Sequence, residues 1–250
     1  MFKIALSAGH GKYTAGKRCL KKLDPKETRE WVLNARICDK VEKLLKDYTG
    51  YKLLRVDDTT GKKDIALITR TNKANKWKAD IYVSVHHNAG KNGKSGGGIM
   101  VFVYITVDSV TEAWQEALYN ALIKHTGLKG DRAAPLAKAD LHECRETNMP
   151  AVLLECGFMD SATDVPVILT EKYADNCAQA IVDVLVSKGK LKKKKKAAAK
   201  KGTATKKTIT AIAKEVIAGK WGNGLARKTA LKKAGYDYEK VQAKVNEILK

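Results

Sequence analysis

Apolar positions along the chain fall into two kinds of run. Short, nearly continuous runs occupy residues 2–7, 51–56, 81–87, 99–104 and 151–154. Runs with so little polar alternation are expected of strands covered on both faces. Between them, apolar residues recur at helical spacing: Trp31, Leu33, Ala35, Ile37, Val41, Leu44 and Leu45, with Asp24-Pro25 as a start signal. Residues 65–77, 110–125 and 171–186 carry similar helical patterns. Asp160 and Ser161 are cap signals for a short helix ending at Leu169, and residues 136–141 read as an edge strand. Strands alternating with helices predict an α/β fold: a mixed, mostly parallel sheet with helices on both faces, ending at about residue 187.

The pattern then changes. Residues 188–207 hold eleven lysines and no acid, which leaves +10 of the net +21 charge for the rest of the chain. Such a segment repels itself and has nothing to bury, so it reads as an extended linker. Residues 208–250 resume helical spacing, with Ile212, Val216 and Ile217 on one face, a Gly-Lys-Trp-Gly-Asn-Gly turn from Gly219, a second helix from Ala226 to Lys233, and Val241, Val245, Ile248 and Leu249 on a third helix. Three helices in so short a unit make a small core, better suited to binding than to catalysis.

Composition narrows the partners. The basic excess favours polyanions, whether nucleic acid, anionic lipid or the charged polymers of a bacterial wall. No apolar run approaches the ~20 residues that span a bilayer, and the N-terminal residues are too quickly polar for a secretory signal, so membrane insertion is not expected. Five cysteines without a Cys-x-x-Cys pair point to reduced thiols rather than a disulfide framework.

The candidate chemistry centres on Glu155. It follows the apolar run at 151–154, and the carboxyl ends of strands are where ligands gather in open α/β sheets. A carboxylate there is costly to bury without a metal, a cation or a reacting water. His10 follows the first strand, Glu30 lies in the first helix, and His86 ends the third strand. Two imidazoles and a carboxylate suit zinc with a fourth position left for water; Glu155 would then be the general base. Spacing alone leaves Glu27 as an alternative to Glu30 one turn earlier, and His87 as an alternative to His86 on the opposite strand face. Cys156 is not expected to be a nucleophile, since strand alternation points it away from Glu155. Residues 88–95 approach a phosphate-loop pattern, but Asn88 replaces its first glycine and no helix follows.

Four segments, in order, resemble the zinc-dependent N-acetylmuramoyl-L-alanine amidases of the amidase-3 type. They are Ser7-Ala8-Gly9-His10-Gly11, Glu30 with Asn34, Ser84-Val85-His86-His87-Asn88-Ala89, and Met149-Pro150 through Glu155-Cys156-Gly157-Phe158. The resemblance covers residues 2–187 and implies His10, Glu30 and His86 as Zn2+ ligands and Glu155 as the catalytic carboxylate. It selects Glu30 by the following Asn34 and His86 by the Ser-x-His-x-Asn frame. His87 stands where the family has a small residue, which makes it, with Asn88 and Arg145, a candidate substrate contact; for Arg145 a plain surface charge is the competing reading. The implied reaction is hydrolysis of the amide between N-acetylmuramic acid and L-alanine in bacterial peptidoglycan.

Residues 208–250 resemble the CW_7 cell-wall-binding repeat through Ile217-Ala218-Gly219-Lys220-Trp221-Gly222-Asn223-Gly224, Arg227-Lys228 and Ala234-Gly235-Tyr236-Asp237-Tyr238. Trp221, Gly222, Asn223 and Arg227 are its candidate wall contacts, with Trp221 also suited to filling the small core. The whole then reads as a catalytic domain (1–187), a linker (188–207) and a wall-binding module (208–250). It resembles a phage endolysin made in the host cytoplasm and released to the wall by a holin-type route. The competing expectations are a zinc peptidase cutting within the stem peptide and, from the lysines, a nucleic-acid-binding protein; no specific nucleic acid is expected on the first reading.

Overall fold

In the computed structural model the described residues are 1–194 and 207–250, and the chain divides into two compact units after Lys194. In the first unit, strands β1 (Phe2–Ala8), β3 (Tyr51–Arg55), β4 (Ile81–Asn88), β5 (Ile99–Val103), β6 (Leu136–Lys138) and β7 (Ala151–Phe158) form one sheet in the order β3-β1-β4-β7-β5-β6. The first four of that order are parallel; β5 is antiparallel to β7 and parallel to β6. Helices α1 (Glu30–Leu45), α3 (Ser109–Thr126) and α6 (Glu171–Lys188) cover one face. On the other face α2 (Leu67–Trp77) packs through Ala74 and Trp77, and the one-turn α4 (His142–Arg145) packs on β7. Helix α5 (Val165–Ile168) sits beside β7. The expected mixed, mostly parallel α/β architecture is the one observed.

Strand alternation sorts the residues. Ile4, Leu6, Ala8, Ile81, Val83, Val85, Val152, Leu154 and Cys156 enter the main core, and all are fully buried. Their neighbours Ser7, Tyr82, Ser84, His86, Leu153 and Glu155 point to the opposite face, where the covering is incomplete. Burying an apolar side chain contributes roughly 1.5–3 kcal/mol, so the first face carries the stability.

Three elements differ from the sequence expectation. Helix α1 begins at Glu30, not at Asp24, because the Asp24 carboxylate accepts from the Lys26 and Thr28 backbone N–H groups and Glu27 adopts φ +48°. A side chain that bonds its own neighbours in this way competes with helix. The edge strand β6 is only Leu136–Lys138. The first unit also runs past residue 187: Leu191 is buried, and the two-residue strand β8 (Lys192–Lys193) pairs with β2 (Tyr48–Thr49). Of the linker expected over 188–207, residues 195–206 lie outside the described residues.

The second unit contains α7 (Ile209–Ile217), α8 (Gly224–Lys233) and α9 (Tyr238–Ile248) around Ile212, Ala213, Val216, Leu231, Val241 and Val245. Thr208 and Asp237 cap the first and third helices by accepting backbone N–H groups. Among the described residues no helix is long and apolar enough to cross a membrane.

Candidate metal centre and active site

Three segments distant in sequence meet at the carboxyl end of β1 and β4. His10 sits just beyond β1 in the left-handed region, φ +63°. Its carbonyl is held by Arg70, whose buried guanidinium also receives Ser7 Oγ and the Ala8 and Ile65 carbonyls as acceptors. Glu30 opens α1, and His86 lies near the end of β4. Ligand atoms of His10, Glu30 and His86 all lie within 4.8 Å of one another. His10 Nε2 is 3.3 Å from Glu30 Oε2, and His86 Nδ1 is 3.1 Å from Glu30 Oε1. Glu27, the alternative carboxylate, instead pairs with Arg18 at 3.1 Å.

The cluster is assembled by close packing at Gly9. A Cβ placed there would lie 2.1 Å from His86 Cε1, so only glycine lets the β1 loop close over the imidazole. Asn34, one turn after Glu30, donates to Gly9 O and to Glu30 Oε1 and so ties the helix to the loop. His10, Asp64, Ile65, Ala66, Leu67 and His86 line an open pocket.

The electrostatics follow from this crowding. Burial lowers the His10 pKa to about 4. Burial also works against charge on His86, but Glu143 and Glu30 outweigh it and raise the pKa to about 10. Burial works against the Glu30 charge too, yet His86 and His10 bring it down to about 2. Glu30 is thus an ionised carboxylate with Oε2 buried and lacking a hydrogen-bond partner. A buried carboxylate facing one imidazole at each oxygen is what a divalent cation fits, and two nitrogens with one carboxylate suit zinc.

Glu155 lies one strand over, in register with His86. Its Oε2 is buried without a hydrogen-bond partner, and burial raises its pKa to about 8. Gly157 supports that placement. The β4–β7 register slips after His86 and Glu155, and Gly157 takes φ +99° with the space of a side chain filled by Ile168. A bulge of this kind ends regular pairing beside a reactive group.

The remaining sequence candidates are dispersed. His87 is buried on the α1 side of the sheet; its Nδ1 meets Asn34 Oδ1 at 2.8 Å and its backbone N–H donates to Glu30 Oε1. Burial lowers its pKa to about 3. It therefore backs the cluster from the sheet face opposite His86, because adjacent strand residues point to opposite faces. Arg145 is likewise removed: it pairs with Asp140 and Glu146 and lines a separate cleft with Tyr104, Asp108 and Met149, where β7 begins. Asn88 stays at the rim, half-buried, with Nδ2 3.8 Å from Met100 Sδ; Met100 is the residue paired with Glu155.

In the second unit Trp221 is half-buried, edge-on to Tyr236, and donates from Nε1 to Glu215 at 3.1 Å. Its ring packs against the small core. Gly222 and Asn223 are exposed, and Arg227 donates to Gly222 O and Asn223 Oδ1, bracing that turn.

Two residues near the cluster gave no sequence signal. Arg70 lies on α2 and Glu143 on α4. Both are buried, at 1% and 3% exposure.

Comparison with known proteins bears on this arrangement. The Amidase_3 family, described as N-acetylmuramoyl-L-alanine amidase, matches residues 4–187, and the CW_7 repeat matches residues 210–249. The N-acetylmuramoyl-L-alanine amidase CwlM of Bacillus licheniformis is 30% identical over 181 residues, covering 72% of this chain and 65% of that protein. The endolysin of Bacillus phage SPP1 is 31% identical over 193 residues, covering 76% of this chain and 67% of that one. The match thus spans about two thirds of the length of these relatives. Among solved structures, the catalytic domain of CwlV, an N-acetylmuramoyl-L-alanine amidase from Bacillus (Paenibacillus) polymyxa var. colistinus, superposes with a TM-score of 0.67 at 26% identity, covering 77% of this chain and 100% of that one. The chain, through a match over most of its length to the same fold that carries the His10–Glu30–His86 cluster, belongs to the Amidase_3 family of N-acetylmuramoyl-L-alanine amidases.

Proposed function

We propose that this chain is a zinc-dependent N-acetylmuramoyl-L-alanine amidase that degrades bacterial peptidoglycan as a phage endolysin. The observation that carries the reading is the convergence of His10, Glu30 and His86 beside a strand-paired, unpartnered Glu155 on the incompletely covered sheet face. His10, Glu30 and His86 would hold the ion. Zinc, when bound, would polarise the scissile carbonyl and strengthen the acidity of water.

The chain's own groups supply the rest. Glu155 takes a proton from the attacking water as its oxygen bonds to the lactyl carbonyl carbon. The C–N bond then breaks, and the Glu155 carboxyl returns the proton to the departing L-alanine nitrogen. The products are a free lactyl carboxylate on muramic acid and a new alanine amino group. Burial alone holds Glu155 protonated at neutral pH; a cation in the neighbouring cluster favours its ionised, basic form. Asn88, beside the Met100 that pairs with Glu155, would meet a substrate amide.

The second unit serves as the wall anchor, with Gly222 and Asn223 on its exposed turn, Arg227 of α8 bracing them and half-buried Trp221 just before them in the chain. The lysine-rich residues that follow Lys194 would serve as the tether between the units. Retention on the insoluble wall raises the effective concentration of the active site there. Descent from the cytoplasm to the wall through a holin-type pore fits the relationship to the SPP1 endolysin.

Mass spectrometry of digested walls tests the bond. Free lactyl groups together with new L-alanine amino termini are expected. Cleavage within the stem peptide, with intact muramoyl amides, would overturn the amidase reading in favour of a peptidase.

A further inference from the structure

We propose that Glu143 is a positioning residue for the metal cluster: it holds the Nε2 side of the His86 ring and thereby commits Nδ1 to the ion. This rests on the reading of His86 as a ligand.

Glu143 comes from α4, 57 residues from His86 in sequence, and reaches under the cluster along one face of the sheet. Both of its oxygens are occupied. Oε1 accepts from Tyr82 OH at 2.5 Å and Ser7 Oγ at 3.2 Å, while Oε2 accepts from Ser84 Oγ at 3.0 Å and meets His86 Nε2 at 3.4 Å. Those groups share a face because Ser7 pairs with Ser84, and Tyr82, Ser84 and His86 alternate on β4. Ser7, Tyr82, Ser84 and Glu143 are buried, and Arg70, donating to Ser7 Oγ at 2.9 Å, continues the network towards the His10 carbonyl at 3.0 Å.

A buried carboxylate is costly, and a leucine at this place would fill the space without that cost. The carboxylate has a use that leucine lacks. An imidazole presents two nitrogens, and a carboxylate on one keeps the hydrogen there and the lone pair on the other. Here Glu143 faces Nε2 while Nδ1 faces Glu30 and the cluster. The Gly9 backbone closes the third side of the ring, so its orientation is determined from several directions. Glu143 lies outside the three-residue cluster itself, which separates it from the ligands.

The test uses the full chain loaded with zinc. Competition against a chromogenic chelator should show zinc held about 10–100-fold more weakly by Glu143→Gln than by the unaltered protein. Tyr173→Phe, which removes a buried hydrogen bond to the Cys156 carbonyl at 3.1 Å and touches neither Glu143 nor His86, should stay within about 3-fold of it, well under the change expected of an outer-shell partner. Equal affinity in Glu143→Gln, or equal losses in both variants, would overturn the proposal. Should Glu143→Gln not fold, nitrogen-15 histidine spectra of the unaltered zinc-loaded protein decide: His86 bound through Nδ1 with hydrogen on Nε2 is expected, and binding through Nε2 overturns it. Failure of the metal reading is distinguishable, since the unaltered protein would then hold no zinc, or His86→Ala would hold it equally well.

Discussion

The two faces of the six-stranded sheet are built from the same strands and meet opposite demands. On one, Ile81, Val83 and Val85 of β4 and Val152 and Leu154 of β7 are sealed by α1, α3 and α6. On the other, the intervening Tyr82, Ser84 and His86 and the paired Glu155 bring together hydroxyls, an imidazole and carboxylates in a partly open layer. A strand can do both because its side chains alternate. The lesson is a division of labour: the apolar face supplies the stability that lets the polar face keep unpartnered and crowded charges.

Substitutions on the two faces should therefore separate function from folding. The largest expected effect is on the polar face, where Glu155→Gln should lower wall hydrolysis by about 10²–10⁴-fold while zinc binding is kept. Assays of turbidity loss and of zinc content on the same preparation check both halves, and full activity would rule out the base. On the apolar face Leu154→Ala, one residue away, should cost about 2–5 kcal/mol of stability, seen in denaturant unfolding. Turnover by the fraction that remains folded should change little.

At the boundary between the faces, Gly9→Ala drives a methyl group into the His86 ring. Zinc affinity should fall by at least about 10-fold, in the range found for disturbed ligand supports, with a smaller loss of stability than Leu154→Ala. A chelator titration measures it; unaltered affinity would mean that the ring is free to move aside.

The smallest effect concerns pH. Burial raises the folded-state pKa of Glu155 from 4.5 to about 8. The stability associated with its neutral form is complete below 4.5 and is lost as pH rises through 8. Metal-free Glu155→Gln does not titrate there, so it should become progressively more stable than the parent between those values. Unfolding in chelator at several pH values would show the two curves diverging; parallel curves would mean that Glu155 is better solvated than its surroundings indicate.

The site was legible to unequal depth. His10, Glu30, His86 and Glu155 stand at strand or helix ends, where a reading of apolar periodicity places them, although periodicity alone left Glu27 and His87 open. The fold draws each pair apart: Glu27 turns away in a non-helical loop to Arg18, and His87 faces Asn34 on the far side of the sheet. Arg145 illustrates the converse. It lies close in sequence to β7 but lines another cleft, paired with Asp140 and Glu146.

By itself the sequence determined the α/β layering and the residue types able to bind a metal, because these depend on local periodicity and on side-chain chemistry. Only the tertiary structure decided which of them meet and what stands behind them. The start of α1 moved because the Asp24 side chain captures its own backbone. The fit of Gly9 against His86, the Arg70 brace under His10 and the Glu143 carboxylate under His86 join residues tens of positions apart. Their meaning lies in packing distance and burial, which a linear pattern does not encode.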